Sequence, residues 1–298
     1  MRSQAVQSES KILLGSHFPR CYPFVKWAGG KGQLISQISE FIPSSFERYF
    51  EPFLGGGAIF FYLISLQNRR FTSFLSDTNE ELVTAFMVIR DSVEELIKRV
   101  KHHEREYNKS RQEYYYKLRS SKPLTAIERA ARFITLNKTC YNGLYRVNKN
   151  GIFNVPMGRY KNPLICDVVN LRNISITLKN SNSHLQVADY QKILIENAAE
   201  GDFIYLDPPY SPVSPTANFT GYTNTGFNND DQLQLAELFK KLDSRGCKIL
   251  LSNSDTPLIR KLYREFSSRS KEIEANRAIN SKASKRSGHR ELLIRNYD

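Results

Sequence analysis

Asp207-Pro208-Pro209-Tyr210 stands directly after the apolar run Phe203-Ile204-Tyr205-Leu206, which delivers an acid, a rigid turn and an aromatic ring to the end of a strand. This set suits the handling of an exocyclic amine on a heteroaromatic ring, whose delocalised lone pair makes it a poor nucleophile. Asp207 can accept one N–H of such an amine and the Pro208 carbonyl the other, because proline keeps its acceptor while its φ is fixed. Tyr210 offers a ring face for stacking. The bland alternative is a strand-ending turn with a solvent-facing acid.

Three further segments lie nearer the amino terminus. In Glu51-Pro52-Phe53-Leu54-Gly55-Gly56-Gly57 the glycines follow a strand and precede the helical run Ala58 to Leu66, a placement that lets backbone approach a ligand at the carboxyl end of a sheet. The spacing is neither the GxGxxG of dinucleotide folds nor a P-loop, so pyrophosphate is not the obvious ligand. Ser76-Asp77-Thr78-Asn79 ends the next strand. An acid there can accept from a ribose hydroxyl, while Asp77 or Asn79 could equally cap the following helix. Phe24-Val25-Lys26-Trp27-Ala28-Gly29-Gly30-Lys31 holds the only tryptophan, beside paired glycines and between two lysines.

Apolar runs suited to buried strands alternate with segments of helical period, which predicts an α/β fold with a mostly parallel sheet covered on both faces. The strands are expected over Arg48 to Phe53, Thr72 to Ser76, Leu185 to Ala188, Phe203 to Leu206, Lys248 to Ser252 and Glu291 to Asn296, and helices over Gly32 to Phe41, Asn79 to Lys101 and Asp230 to Arg245. The stretch 100–173 breaks this rhythm. It is rich in Tyr, Arg, Lys and Asn and reads as a helical, loop-rich insertion forming a second domain, with 1–99 and 174–298 as the first.

With 43 Lys+Arg against 30 Asp+Glu the formal charge is +13, which points to a polyanionic partner. Within the insertion Arg146, Lys149, Arg159 and Lys161 are interleaved with Tyr141, Tyr145 and Tyr160. Cations can bind phosphates there, and aromatic rings can wedge where a base has left its stack. No apolar stretch reaches the roughly 20 residues that span a bilayer, and the start lacks the apolar core of a signal peptide. The expectation is a cytoplasmic protein with no membrane association and no obligate protein partner. Cys21, Cys140, Cys166 and Cys247 stand singly and read as reduced thiols, with no structural zinc and no other metal. His102-His103 lies in a charged helical run and reads as a solvated face. The Ser-rich basic run Ser281 to Arg290, with His289, reads as a mobile loop.

Read in order, these blocks resemble the Dam family of DNA adenine-N6 methyltransferases. The pattern runs from Lys26-Trp27-Ala28-Gly29-Gly30-Lys31 through the Gly55 turn, Ser76-Asp77-Thr78-Asn79, Tyr141-Asn142-Gly143-Leu144-Tyr145-Arg146, Phe153-Asn154-Val155-Pro156, Gly158-Arg159-Tyr160-Lys161 and the Asp207 tetrapeptide to Leu251-Ser252-Asn253. The resemblance implies a Rossmann-like S-adenosylmethionine-dependent methyltransferase sheet with a mostly helical target-recognition insertion, acting on double-stranded DNA. It implies that Trp27, Lys31, Asp77 and Asp207 contact S-adenosylmethionine, with Gly55 to Gly57 lining the pocket, Asp77 on the ribose and Asp189 near the cofactor adenine. It makes Asp207, Pro208 and Tyr210 the catalytic set. Tyr141 would insert into the duplex, Leu144 and Arg146 would read bases, and Lys26 would help read the first guanine. Asn142, Arg159 and Tyr160 fall in the same DNA-facing blocks, and the sequence implied is GATC. One departure is Gly56, where the family often has alanine.

Competing classes are an amino-methyltransferase on another planar amine, such as cytosine N4, RNA adenine or a protein glutamine, and a catalytically silent DNA-binding module. The second rests on charge alone and leaves the presence of Trp27, Lys31, Asp77 and Asp207 in matching contexts unexplained.

Overall fold

The computed structural model describes residues 18–66, 71–210, 227–275 and 289–298. Most of the basic run expected as a loop, 281–288, lies outside the described residues.

The elements in chain order are α1 (Ile35–Ser39), β1 (Arg48–Glu51), α2 (Ala58–Leu66), β2 (Thr72–Asp77), α3 (Glu80–Asp91), α4 (Val93–Lys109), α5 (Arg111–Ser120), α6 (Ala126–Thr139), α7 (Val168–Asn180), β3 (Asn182–Val187), α8 (Tyr190–Asn197), β4 (Phe203–Leu206), α9 (Asn229–Ser244), β5 (Lys248–Ser254), α10 (Pro257–Leu262), β6 (Ser270–Ala275) and β7 (His289–Arg295). The seven strands form one sheet in the order β3-β2-β1-β4-β5-β7-β6. The first five are parallel to one another, and β7 runs antiparallel to both neighbours. This is the Rossmann-like α/β arrangement expected from the sequence. Strand order reverses between β1 and β4, and the crevice beyond the carboxyl ends of strands at such a switch point is where open α/β sheets bind ligands. The Gly55 turn follows β1 and the Asp207 tetrapeptide follows β4.

Alternation along the central strands loads both faces. Tyr49, Phe203, Tyr205 and Leu250 pack on one side with buried residues of α1, α2, α3, α6 and α7. Phe50, Ile204, Leu206, Ile249 and Leu251 pack on the other with α8, α9 and α10. All four residues of β4 are buried, which explains its uninterrupted apolar run. The edge strand β3 keeps Asn182, His184 and Gln186 exposed, polar residues that blunt an open edge.

The local differences from expectation have physical causes. The helix expected over Asn79 to Lys101 is two, because Ser92 leaves helical geometry at φ −140° and α4 starts anew after it; serine competes for backbone partners and favours such breaks. The first expected helix is a 3₁₀ turn, Lys31–Gln33, followed by the short α1, since the Lys31 side chain is drawn inward by tertiary bonds described below. Strand β6 went unforeseen because Ser270-Lys271-Glu272-Ile273-Glu274-Ala275 is an edge strand with one apolar residue in the core, Ile273. The boundary expected at residue 100 falls inside α4.

Candidate active site

The tetrapeptide after β4 meets Lys31 from the far end of the sequence. Lys31 is buried, and its Nζ donates to Asp207 Oδ1 at 2.6 Å and to the Gly29 carbonyl at 2.8 Å. The same ammonium stands 4.8 Å from the centre of the Tyr210 ring and 3.8 Å from Glu291 Oε2. Burial pushes the Asp207 carboxyl up to about 6, against the pull of the Lys31 charge and hydrogen bond. Asp207 is therefore more basic than an ordinary carboxylate while still ionised at neutral pH. Glu51, buried at the end of β1, accepts from the Tyr49 hydroxyl at 2.9 Å and the Phe60 N–H at 3.1 Å. Burial pushes its carboxyl up to about 8, so it carries a proton at neutral pH. Pro208 is buried beside Asp207, and among the described residues no group donates to its carbonyl.

One strand over, Asp77 Oδ2 accepts the Gly55 N–H at 3.0 Å and Oδ1 the Asn79 N–H at 2.9 Å. The helix cap is Asn79, whose side chain accepts from Leu82, so Asp77 is spared that duty and faces the turn after β1. Burial raises its carboxyl above the ordinary value, opposed by these backbone donors. Gly55 has φ +49°, and a Cβ there would come within 2.8 Å of Trp27 Cδ1; only glycine permits both the backbone and the indole. Gly57, at φ +71°, closes the turn. Asp189 is exposed and caps α8 by accepting from the Gln191 N–H at 2.8 Å. It lies at the carboxyl end of β3, where the Ala188 N–H meets the Asp77 carbonyl.

The blocks expected to face DNA gather in a loop that abuts Trp27. The Tyr145 ring stacks on the indole at 5.7 Å, and Lys26 Nζ lies 4.2 Å from the centre of the Tyr160 ring. Tyr141 is exposed, its N–H held by the Pro156 carbonyl at 2.8 Å. Asn142 takes φ +55°, and Leu144 is half-buried against the core. Arg146 is exposed, and its Nε donates to Asn154 Oδ1 at 2.7 Å. Arg159 is exposed on the same loop.

The model of the D12 class of N6 adenine-specific DNA methyltransferases matches residues 27–279. This chain belongs to that class. It is 46% identical to the type II methyltransferase M.MjaIII of Methanocaldococcus jannaschii over 292 residues, covering 92% of this chain and 99% of that protein. It is 42% identical to the type II methyltransferase M1.LlaDCHI of Lactococcus lactis subsp. cremoris, covering 92% and 95%, and 32% identical to the DNA adenine methylase of Escherichia coli K12, covering 91% and 93%. As a D12-class enzyme the chain methylates adenine N6 in DNA, with S-adenosylmethionine as donor. The carboxyl-edge residues fit that cofactor. Asp77 offers acceptor lone pairs beside a turn that only glycine can form, and Asp207 and Glu291 supply negative charge suited to a cation.

Several residues of the methyltransferase site escaped sequence reasoning. Glu291, from β7, accepts the Tyr210 hydroxyl at 2.6 Å. Gln232, buried on α9, donates to the Pro209 carbonyl at 3.1 Å and accepts from Asn253 at 2.9 Å. Asn137, buried on α6, accepts the Lys26 N–H at 2.8 Å and donates to the carbonyls of Lys26 and Gly143 at 2.8 and 3.1 Å. It fastens the segment bearing Trp27 to the loop bearing Tyr141. The available signal was a polar residue inside an amphipathic helix, too common to single out. His103 also differs from expectation: it is half-buried, with Nδ1 at 2.7 Å from the Tyr114 hydroxyl, and burial lowers it to about 4. The four cysteines are buried free thiols. Among the described residues no helix is long and apolar enough to cross a membrane.

Proposed function

We propose that this enzyme methylates the adenine of GATC in double-stranded DNA after flipping the base out of the helix. The convergence of Lys31, Asp207 and Tyr210 at the carboxyl end of β4, next to the exposed loop 141–160, carries this reading. Extrusion costs a few kcal/mol of stacking and pairing. Tyr141, exposed at a loop whose backbone is pinned, is placed to fill the gap. The extruded adenine N6 gives one hydrogen to Asp207 and the other to the Pro208 carbonyl, with the ring on Tyr210. The two acceptors orient the amine and draw its hydrogens away from nitrogen, leaving more electron density on N6 for attack, a contribution of positioning and preset electrostatics. The bound cofactor supplies an electrophilic methyl on a sulfonium. Trp27, Lys31, the Gly55 turn, Asp77 and Asp189 hold that cofactor in this reading, with Asp77 on the ribose. Asp207, raised by burial, takes up the proton released from N6 more readily than an ordinary carboxylate would.

For recognition, the Arg146 Nε and one Nη2 hydrogen are committed to Asn154. The Nη1 edge remains to bind guanine O6 and N7. Lys26 and Leu144 complete the base-reading set, and Asn142, Arg159 and Tyr160 shape and charge the surface. Residues 100–173 form the recognition domain and the rest the catalytic domain. The enzyme works in the compartment of its DNA, the cytoplasm of a prokaryotic cell, or of the host cell if it is phage-borne. Tritiated-methyl transfer to paired duplexes differing in one GATC tests the proposal: N6-methyladenine in the GATC duplex alone supports it, and equal label in both refutes the sequence assignment.

A further inference from the structure

We infer that Glu291 is a positioning residue for methyl transfer, which from strand β7 fixes the Tyr210 ring by a hydrogen bond and the Lys31 ammonium beside Asp207 by ion pairing. The inference rests on the reading of Asp207 and Tyr210 as the amine-handling pair.

Glu291 is 4% exposed. It sits diagonally across from Ser252 on one face of the β5–β7 ladder, where Ser252 pairs with Leu293 and Ser254 with Glu291. Its Oε2 accepts the Tyr210 hydroxyl at 2.6 Å and the Ser252 hydroxyl at 3.2 Å. Tyr210 and Ser252 are themselves 3.0 Å apart, and since each hydroxyl has one hydrogen, the carboxylate satisfies both. The 2.6 Å bond is in the short, charge-assisted range. It fixes the far end of the Tyr210 ring, whose backbone follows Pro209, a residue itself held by Gln232.

Lys31 is the second thing Glu291 orients. An ammonium has three hydrogens, and Lys31 Nζ has Gly29 O at 2.8 Å, Asp207 Oδ1 at 2.6 Å and Glu291 Oε2 at 3.8 Å. Gly29 and Asp207 take two of its hydrogens, and the Glu291 carboxylate, at ion-pair rather than hydrogen-bond distance, adds a charge that holds the ammonium in place. A buried carboxylate is costly, and two of its three partners here, Tyr210 and Lys31, belong to the proposed reaction centre. The groups facing Asp207 are Lys31, Glu51 and Tyr49 from β1, Tyr205 from its own strand, Tyr210, and Glu291.

Glu291→Gln keeps an acceptor for Tyr210 and removes the charge, Glu291→Ala removes both, and Tyr210→Phe removes only the tether. In single-turnover transfer, Glu291→Ala and Tyr210→Phe are expected to lose rate on the order of 100-fold, with cofactor and DNA affinities kept. Glu291→Gln is expected to retain most of the rate at pH 8, with its acid limb moved to lower pH because a like charge beside Asp207 is gone. The Glu291→Gln/Tyr210→Phe double variant should be no slower than Tyr210→Phe. If Glu291→Ala does not fold, the other three variants carry the test. Wild-type rates in Tyr210→Phe, additive losses in the double variant, or a Glu291→Gln enzyme slowed 100-fold with an unmoved acid limb would each overturn the inference. Asp207→Ala, run alongside, separates the two readings: retained transfer there would refute the tetrapeptide assignment itself.

Discussion

Removing the Lys31 charge should move the pH dependence of methyl transfer, and the structure sets the size. Asp207 already sits about 2 pH units above its ordinary value of 3.8 because burial outweighs the ammonium 2.6 Å away, which is a cost of about 3 kcal/mol for ionising it at 1.36 kcal/mol per unit. An opposite charge at this range lowers an acid by about 1–3 units. In Lys31→Met, whose side chain fills the same buried space without charge, Asp207 should therefore rise from about 6 into the range of about 7–9. Transfer that needs the carboxylate ionised then falls about tenfold at pH 7 for a value near 8, and returns as pH is raised to 9. The wild type should show the corresponding loss below pH 6, about tenfold per unit. The assay is kcat/KM from pH 5 to 9 with tritiated cofactor, with cofactor binding measured by calorimetry at pH 7 and 9 to separate binding from chemistry. A wild-type profile that stays flat down to pH 5 would refute the requirement for ionised Asp207. A Lys31→Met enzyme equally slow at pH 7 and 9, with cofactor still bound, would refute the electrostatic role of the lysine.

Asp202, 3% exposed at the start of β4, pairs with Arg48 at 2.6 Å and accepts the Ala199 N–H at 2.7 Å. Asp202→Ala should cost about 1–3 kcal/mol in urea unfolding, since it orphans the Ala199 N–H while the Arg48 side chain can still reach water, and kcat of the folded enzyme should hold. Asp77→Ala removes the carboxylate beside the Gly55 turn, and calorimetry should show cofactor affinity weakened by about 1.5–3 kcal/mol with DNA affinity kept. At Gly143, φ is +67° and a Cβ would lie 2.5 Å from Lys26 Cβ. Gly143→Ala should lower stability by about 1–3 kcal/mol and weaken DNA binding in gel shifts more than cofactor binding. With 2-aminopurine replacing the target adenine, Tyr141→Ala should reduce the fluorescence rise that accompanies base extrusion, and an undiminished rise would remove Tyr141 from that step.

The central strands and the turn after β4 were legible because burial on both faces leaves an uninterrupted apolar run, as in Phe203 to Leu206, and because Asp207-Pro208-Pro209-Tyr210 combines a specific set of residue types at fixed spacing. Lys31 and Asp207 were nameable separately; their 2.6 Å contact spans 176 positions of sequence, and only the sheet order brings them together. Glu291, Gln232 and Asn137 were not legible, since hydrophobic periodicity reports which face of an element is buried and is silent about the polar residue placed in that face. The break at Ser92 was hidden for a related reason: the apolar spacing continues through α3 into α4, and the local backbone choice overrides it. Asp189 was singled out by its position at the end of β3, and its observed partner is the backbone of its own helix.

Asn137 bears on how this enzyme can be altered. Because one buried amide holds both the N–H and carbonyl of Lys26 and the carbonyl of Gly143, insertions or deletions anywhere in 138–143 would break a register shared by two distant segments and be eliminated. The turn 148–152, closed on itself by the Asn148–Ile152 and Gly151–Asn148 bonds and largely exposed, is under no such tie. On the proposed reading, new sequence preferences should therefore arise by exchanging side chains at Lys26, Leu144 and Arg146 or by lengthening that tip, and a library built for changed specificity should keep Asn137 and Gly143 constant.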